Sequence, residues 1–257
     1  MSTKIRIDQL LVQHGLVDSR ETAKRLILAH KVMVGEAYAE KPGQQVAVDT
    51  AVRLLEELKY VSRGGYKLER ALDAFQVDPA GKVVLDVGAS TGGFTDCLLQ
   101  RGARKVYALD VGYGQIAWKL REDPRVAVIE RTNARAINRR LFADPIDFAV
   151  MDVSFISAKK ILEPLADVTD EVIFLLKPQF EAGRDDVPRG GVIRDPKVHE
   201  KVLHEFFAGL PQWGVLGLVD SPIEGGSGNR EFLAHLRLNE SGWAPEQMEA
   251  RIRELTG

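Results

Sequence analysis

Two hydrophobic periods alternate along this chain. Near the N-terminus, Ile7, Leu10 and Leu11 recur at helical spacing. After Gly15 a second helical run follows, with Ala23, Leu26 and Ile27 behind a Ser19 able to cap it. Beyond His30 the pattern shortens to strands, Val32 to Val34, Val46 to Val48 and Val52 to Leu54, interrupted by the turn Lys41-Pro42-Gly43. This predicts a small α+β domain over residues 1–59. From residue 66 to 257 longer apolar runs alternate with helical patterns: Val83 to Val87, Val106 to Leu109, Val126 to Ile129, Phe148 to Met151, Val172 to Leu176 and Val215 to Val219. That alternation predicts a doubly wound α/β sheet. A last run, Phe232 to Leu238, follows a glycine-rich turn at 225–228 and reads as a further strand. Residues 60–65, with Gly64 next to Gly65, read as a pliable linker ahead of a helix carrying Leu68, Leu72 and Phe75.

Composition narrows the classes. The 257 residues carry a net charge of −2 and are 45% hydrophobic, as in ordinary globular proteins. No apolar run approaches the roughly 18 residues of a membrane span, so no membrane partner is expected. The N-terminus is charged at once and has no secretory pattern, so a cytoplasmic location is expected. The single Cys97 excludes an internal disulfide and a thiolate zinc site, and the five histidines show no paired spacing; no metal is expected. Cys97 falls on a predicted helix and is assigned to packing. The balanced total hides a local excess: residues 1–35 hold six Lys/Arg against three acids. Arg20 and Lys24 lie one helical turn apart, with Arg25 adjacent, opposite the apolar stripe. Such a cluster suits phosphates, and a solvated face is its plain alternative.

The segment Val83-Val84-Leu85-Asp86-Val87-Gly88-Ala89-Ser90-Thr91-Gly92-Gly93-Phe94 is a buried strand entering a glycine-rich turn, with a helix behind it. Glycines there allow a ligand close to the backbone. Asp110 ends the next strand, twenty-four residues after Asp86, where a carboxylate accepts hydrogen bonds from both ribose hydroxyls. An adenosine-type cofactor follows. The glycine spacing departs from the dinucleotide pattern, and no P-loop is present, so NAD and nucleoside triphosphates are disfavoured. Asn133 offers a donor and an acceptor for adenine, or serves a turn. Phe94 and Trp118 suit the core. Lys67, Asp152, Lys177 and Glu231 punctuate otherwise apolar stretches at element ends. In an open α/β sheet, Asp152 and Lys177 should share with Gly88 the crevice beyond the strands' carboxyl ends. Six arginines between residues 121 and 140, against three acids, either extend the basic track of the first domain or form ordinary surface.

These residues carry a resemblance. The runs Ile7-Asp8-Gln9-Leu10-Leu11, Ser19 to Ile27 and Lys31-Val32-Met33-Val34-Gly35 resemble an S4 domain. The turn at 86–94 resembles the S-adenosylmethionine loop of Rossmann-like methyltransferases. Together with Ser62 to Leu68, Asp110 to Gln115, Glu130 to Arg135, Met151 to Ser157, Leu176 to Glu181 and Gly228 to Leu233, they resemble the TlyA-type ribosomal RNA methyltransferases, some of which carry the name haemolysin. The resemblance implies a Rossmann-like, S-adenosylmethionine-dependent, FtsJ-like methyltransferase domain and a small N-terminal S4-like RNA-binding domain. It implies a catalytic tetrad at Lys67, Asp152, Lys177 and Glu231. Cofactor contacts are expected from Asp86, Gly88, Ala89, Ser90, Thr91, Gly92, Gly93, Phe94, Asp110, Val111, Asn133 and Asp152. Arg6, Arg20, Lys24, Arg25, Lys31 and Arg63 are expected on RNA, and the implied partner is ribosomal RNA or a ribosomal subunit.

The implied reaction is 2′-O-methylation of a cytidine ribose. A ribose hydroxyl is a weak nucleophile, and a lysine ammonium stabilises the alkoxide that develops as its proton leaves. The preferred arrangement has Lys177 contacting the hydroxyl, Asp152 orienting it, and Lys67 with Glu231 completing the network; the rest is positioning for in-line transfer. The alternatives are an assembly factor that keeps the fold without methyl transfer, and a base methyltransferase. Enzymes of the latter kind acting on exocyclic amines commonly carry a polar-proline-proline-aromatic turn where this chain has Asp152-Val153-Ser154-Phe155.

Overall fold

The computed structural model describes residues 4–54, 58–225 and 228–257, so the glycine-rich turn read at 225–228 lies partly outside the described residues. Contacts divide the chain into Met1–Leu58 and Lys59–Gly257.

In the first unit β1 (Lys4–Arg6) leads into α1 (Ile7–Gln13). Then come α2 (Arg20–Leu28), β2 (Val32–Val34), β3 (Ala37–Tyr38), β4 (Gln45–Ala47) and β5 (Val52–Leu54). Ser19 caps α2 as its spacing predicts, its hydroxyl accepting the Thr22 N–H at 3.1 Å. The strands form two antiparallel sheets, β1-β4 and β3-β2-β5. Ile7, Leu10 and Leu11 of α1 meet Ala23 and Ile27 of α2 over Val32 and Val46 in one core. Asp8 is fully buried beside it. Arg6 grips that carboxylate with Nε and Nη2 at 3.0 Å, and Arg20 adds Nη2 at 3.0 Å. A buried carboxylate needs such partners. The hydrogen-bonded Arg6 guanidinium, with Arg20 behind it, holds the Asp8 carboxyl down at about 2.

The second unit runs α3 (Gly64–Phe75), β6 (Val83–Val87), α4 (Gly93–Gln100), β7 (Lys105–Leu109), α5 (Trp118–Arg121), β8 (Val126–Ile129) and β9 (Phe148–Met151). It continues with α6 (Lys159–Leu165), β10 (Glu171–Leu176), α7 (Pro178–Glu181), α8 (Pro196–Ala208), β11 (Trp213–Asp220), β12 (Phe232–Leu238) and α9 (Pro245–Thr256). Its seven strands are ordered β11-β12-β10-β9-β6-β7-β8. Six of these strands run in one direction and β12 alone opposes them. Side-chain alternation on the sheet divides the core: Val83, Leu85 and Val87 face Ile161, Leu203, Phe206 and Ile252, whereas Val84 faces Leu68, Leu72 and Leu98.

Pairing register sets the functional edge. Val87 lies opposite both Leu109 and Met151, so β6, β7 and β9 end level. The next residues are Gly88, Asp110 and Asp152. β10 extends two residues past its last pairing with β9, and its Leu176 pairs with Phe232, which places Lys177 and Glu231 at neighbouring strand ends.

Residues 60–65 are not the pliable linker their glycines suggest. Tyr60 is buried and sets its ring edge-on to Tyr66, centroids 5.3 Å apart. The Val61 N–H donates to Asp96 at 2.8 Å. Gly64 and Gly65 are already helical. A Cβ on Gly65 would strike the Tyr60 ring, and one on Gly93 would lie 3.0 Å from the Gly65 nitrogen. The glycines serve close approach of packed groups, which adjacent glycines in a sequence cannot distinguish from looseness.

Two outcomes follow. Asp8 has its carboxyl depressed in the folded state, so its stabilisation is complete above the unfolded value near 4 and is lost as pH falls towards 2. Discounted for the half-exposed arginines, it is about 1 kcal/mol, and urea unfolding of Asp8→Asn should lose that acid-dependent portion. Gly65→Ala should destabilise by about 1–3 kcal/mol through overpacking against Tyr60, read as a lowered thermal midpoint.

Candidate active site

Beyond the level strand ends lies a two-lobed cleft. Gly88, Ser90, Asp152 and Ser154 border both lobes. The first, about 320 Å³, adds Ser62, Arg63, Gly64, Lys67, Ala89, Thr91, Gly93, Phe94, Lys177, Ile223 and Glu224. The second, about 440 Å³, adds Asp110, Val111, Gln115, Thr132, Asn133, Val153, Phe155 and Ile156.

Gly88 marks the crossing point. Its φ is +84°, and a Cβ there would lie 2.5 Å from the Asp152 carbonyl oxygen, so no side chain fits between β6 and β9 where the cleft opens. The Asp152 N–H donates back to the Val87 carbonyl at 3.0 Å. Asp110 shapes the adjoining loops: Oδ2 accepts the Ser90 N–H at 2.8 Å and Oδ1 the Gly112 N–H at 2.7 Å. A carboxylate has about four acceptor positions, so both oxygens retain capacity for a ligand hydroxyl. Asn133 combines its two sequence readings: it lines the second lobe, and its Oδ1 accepts the Arg135 N–H at 3.0 Å.

The four polar residues at element ends form two ion pairs. Lys67, in the first turns of α3, reaches Glu231 Oε2 at 2.5 Å, with the two side chains 11% and 4% exposed. Lys177 lies 2.6 Å from Asp152 Oδ1 and donates to Ser154 Oγ at 2.9 Å. Lys67, Asp152 and Lys177 line the same lobe, and Glu231 stands behind Lys67. Ser154 had no assigned role in the sequence reading; the only signal was its place two residues past Asp152.

Some expected contacts fall elsewhere. Asp86 is fully buried and does not line the cleft. Strand alternation puts it on the Val84 face under α4, where the Thr95 hydroxyl donates to its Oδ2 at 2.6 Å. Burial raises its carboxyl to about 7; Asp152 pushes the same way and Thr95 opposes. Gly92 also leaves the cleft wall: with φ +95° it packs against Leu120 and Ile116. Phe94 is buried and still lines the first lobe. Trp118, expected in the core, is 73% exposed, because Leu120 is the inward residue of the four-residue α5. Cys97 is buried, and burial pushes its thiol up to about 11.

Of the expected RNA contacts, Arg63 lines the first lobe. In the first unit Arg6 and Arg20 commit part of each guanidinium to Asp8. Lys24 and Arg25 are exposed on α2, and Lys31 is half-buried. Of the arginines between 121 and 140, Arg121 pairs with Glu130 and Arg125 with Asp123, while Arg131 lies over the Tyr113 ring at 4.2 Å. Among the described residues, Glu200, His204 and Glu249 could together hold a metal ion. None lines the cleft, and Glu249 already pairs with His204 at 3.1 Å and Arg253 at 2.5 Å. No helix of the described residues is long and apolar enough to cross a membrane.

Comparison with known proteins agrees with this architecture. Residues 60–238 match the model of the FtsJ-like methyltransferases, and residues 5–52 match the S4 domain. The chain is 43% identical to the 16S/23S rRNA (cytidine-2′-O)-methyltransferase TlyA of Mycobacterium tuberculosis, covering 92% of this chain and 91% of the relative. It is likewise 43% identical to Hemolysin A of Brachyspira hyodysenteriae, over 90% and 99% of the two chains. A solved structure from Streptococcus thermophilus that carries a hemolysin name superposes with a TM-score of 0.74 at 43% identity, covering 99% of this chain and 96% of that one. With both matches in one chain, and relatives of this similarity over nearly its whole length, the protein belongs to the TlyA-type family of FtsJ-like methyltransferases that carry an S4 domain.

Proposed function

We propose that this protein transfers a methyl group from S-adenosylmethionine to the 2′-hydroxyl of a cytidine ribose in ribosomal RNA. The observation that carries the reading is the pair of lysine–carboxylate contacts, Lys177 with Asp152 and Lys67 with Glu231, at one lobe of a cleft whose other lobe is built around Gly88, Asp110 and Asn133. The names of the M. tuberculosis relative and the two matched families support it.

The second lobe fits the cofactor's chemistry. Asp110 offers acceptors for ribose hydroxyls, Asn133 keeps an amide donor for a purine edge, and Val111, Val153 and Ile156 supply apolar wall. Gly88 leaves the backbone bare where the lobes join. S-adenosylmethionine supplies a methyl group on a sulfonium, whose carbon–sulfur bond breaks with its electron pair returning to sulfur.

The residues of the first lobe prepare the acceptor oxygen. Lys177 is held from two sides, by Asp152 as counter-charge and by Ser154 as hydrogen-bond acceptor. At least one of its three N–H bonds therefore remains to donate to the ribose oxygen as negative charge develops there, where a preorganised donor is most effective. Asp152 faces the same space, accepts the hydrogen bond of the hydroxyl and so orients it, and takes up its proton for release to solvent as the carbon–oxygen bond forms. Lys67 is fixed by Glu231 and lines the same lobe, available to the ribose or its phosphate. Arg63, exposed at the rim, suits the RNA backbone. The S4 domain supplies further basic surface in Lys24 and Arg25, matching the backbone-charge reading of structured RNA.

Lys177→Ala should reduce transfer at least about 100-fold while cofactor affinity, measured by calorimetry, changes less than about twofold; parallel loss of both would contradict the role. Asp110→Ala should weaken cofactor binding about tenfold or more. The reading as a whole is tested by methylation of purified ribosomal subunits followed by nuclease digestion and mass analysis. A mark on ribose is expected. A mark on the base, or cofactor binding without transfer, would replace it with one of the two alternatives.

A further inference from the structure

The polypeptide leaving Lys177 forms α7 and then a long connecting segment, residues 182–195, regular only in the 3-10 turn Arg184–Asp186, before Asp195 caps α8 by accepting the Lys197 N–H at 2.9 Å. The far end of this segment is pinned by one side chain. Asn229 is 3% exposed, two residues before Glu231. Its Oδ1 accepts the Ile193 N–H at 3.0 Å, and its Nδ2 donates to the Gly191 carbonyl at 2.9 Å. The amide thus completes a backbone-like pair with the segment while the Asn229 carbonyl accepts the Gly225 N–H at 2.9 Å. Gly190 and Gly191, at φ +111° and +73°, make the turn that brings those groups into reach. The segment therefore starts beside Lys177 and is tied down beside Glu231. Ile223 and Glu224 of the same tied region line the first lobe.

Arg189 and Arg194 flank the pinned stretch, and both are exposed. Two of the nearby acids are engaged, Asp186 with Lys201 at 2.9 Å and Asp195 in its cap, while Asp185 and Glu224 are exposed. Among the described residues neither arginine side chain has an ion pair or hydrogen bond. Two exposed guanidinium groups without a side-chain partner, on a segment tied down two residues before Glu231, suit phosphodiester oxygens, which they bind with paired N–H donors. We propose that Arg189 and Arg194 hold the RNA backbone at the cleft rim, and that Asn229 is the positioning residue that fixes their segment relative to Glu231. This rests on RNA being the substrate.

The test measures binding of a ribosomal RNA fragment by fluorescence anisotropy against salt, together with steady-state transfer, for the full chain. Arg189→Ala/Arg194→Ala should raise KM for RNA about tenfold. It should flatten the slope of log affinity against log salt by about 1–2, with cofactor affinity unchanged. Asn229→Ala should raise KM similarly and add little in the triple variant, since it acts through the same arginines. An unchanged KM and salt slope in the arginine variant overturns the proposal, whether or not Asn229→Ala folds. So does an Asn229→Ala effect confined to kcat and additive with the arginines. Wild-type protein that shows the arginine-dependent salt slope but no ribose methylation would sink the functional reading and leave the rim contacts standing.

Discussion

Parallel pairing that ends β6, β7 and β9 at one level is the constraint on which the cleft depends. Backbone hydrogen bonds and two flanking apolar layers lock the strands in register, and a slip of one residue would exchange the side chains that each layer receives. Level termination then delivers Gly88, Asp110 and Asp152 to one plane without any interaction among their side chains. Their placement is a consequence of core packing, which is why three chemically different residues share a site although 22 and 42 positions separate consecutive members in the sequence. The antiparallel β12 extends the same logic, since pairing of Leu176 with Phe232 brings Lys177 and Glu231 alongside.

The two lysine–carboxylate pairs differ in what they cost and what they do. Lys67 and Glu231 are nearly dry, and burying two charges is expensive unless each compensates the other, so this pair fixes the α3 side of the cleft more than it stabilises the fold. Lys177 and Asp152 face the open lobe, and Lys177 spends a hydrogen bond on Ser154 rather than aligning one with Asp152. The second pair is therefore the adaptable one. The first unit repeats the theme in Asp8, which organises Arg6 and Arg20 and leaves part of each guanidinium outward.

Much of the architecture was legible from periodicity. The seven apolar runs coincide with the seven strands to within a few residues, because buried strands of an α/β sheet are continuous apolar segments bounded by turns. The Ser19 cap and the strand-to-glycine-loop junction were equally plain, each depending on residues close together in sequence. The sequence said less where a side chain's direction mattered. Asp86 belongs to the loop's sequence but points into the interior, and Gly92 lies with its backbone against Leu120 and Ile116. Trp118 faces outward because a one-turn helix has room for one inward residue, Leu120. Gly64 and Gly65 gave a signal of flexibility where Tyr60 makes them a packing surface.

The chain's own order of residues thus determined the element types and the chemical inventory: a glycine turn, two lysines and their carboxylates. Those depend on local periodicity and composition, which a linear string contains. Tertiary structure alone decided that Lys67 meets Glu231 across 164 positions, that Lys177 leans on Ser154, and that Asn229 grips the backbone at Gly191 and Ile193. Such contacts depend on strand register and helix placement, and those are settled only when the two apolar layers close on the sheet.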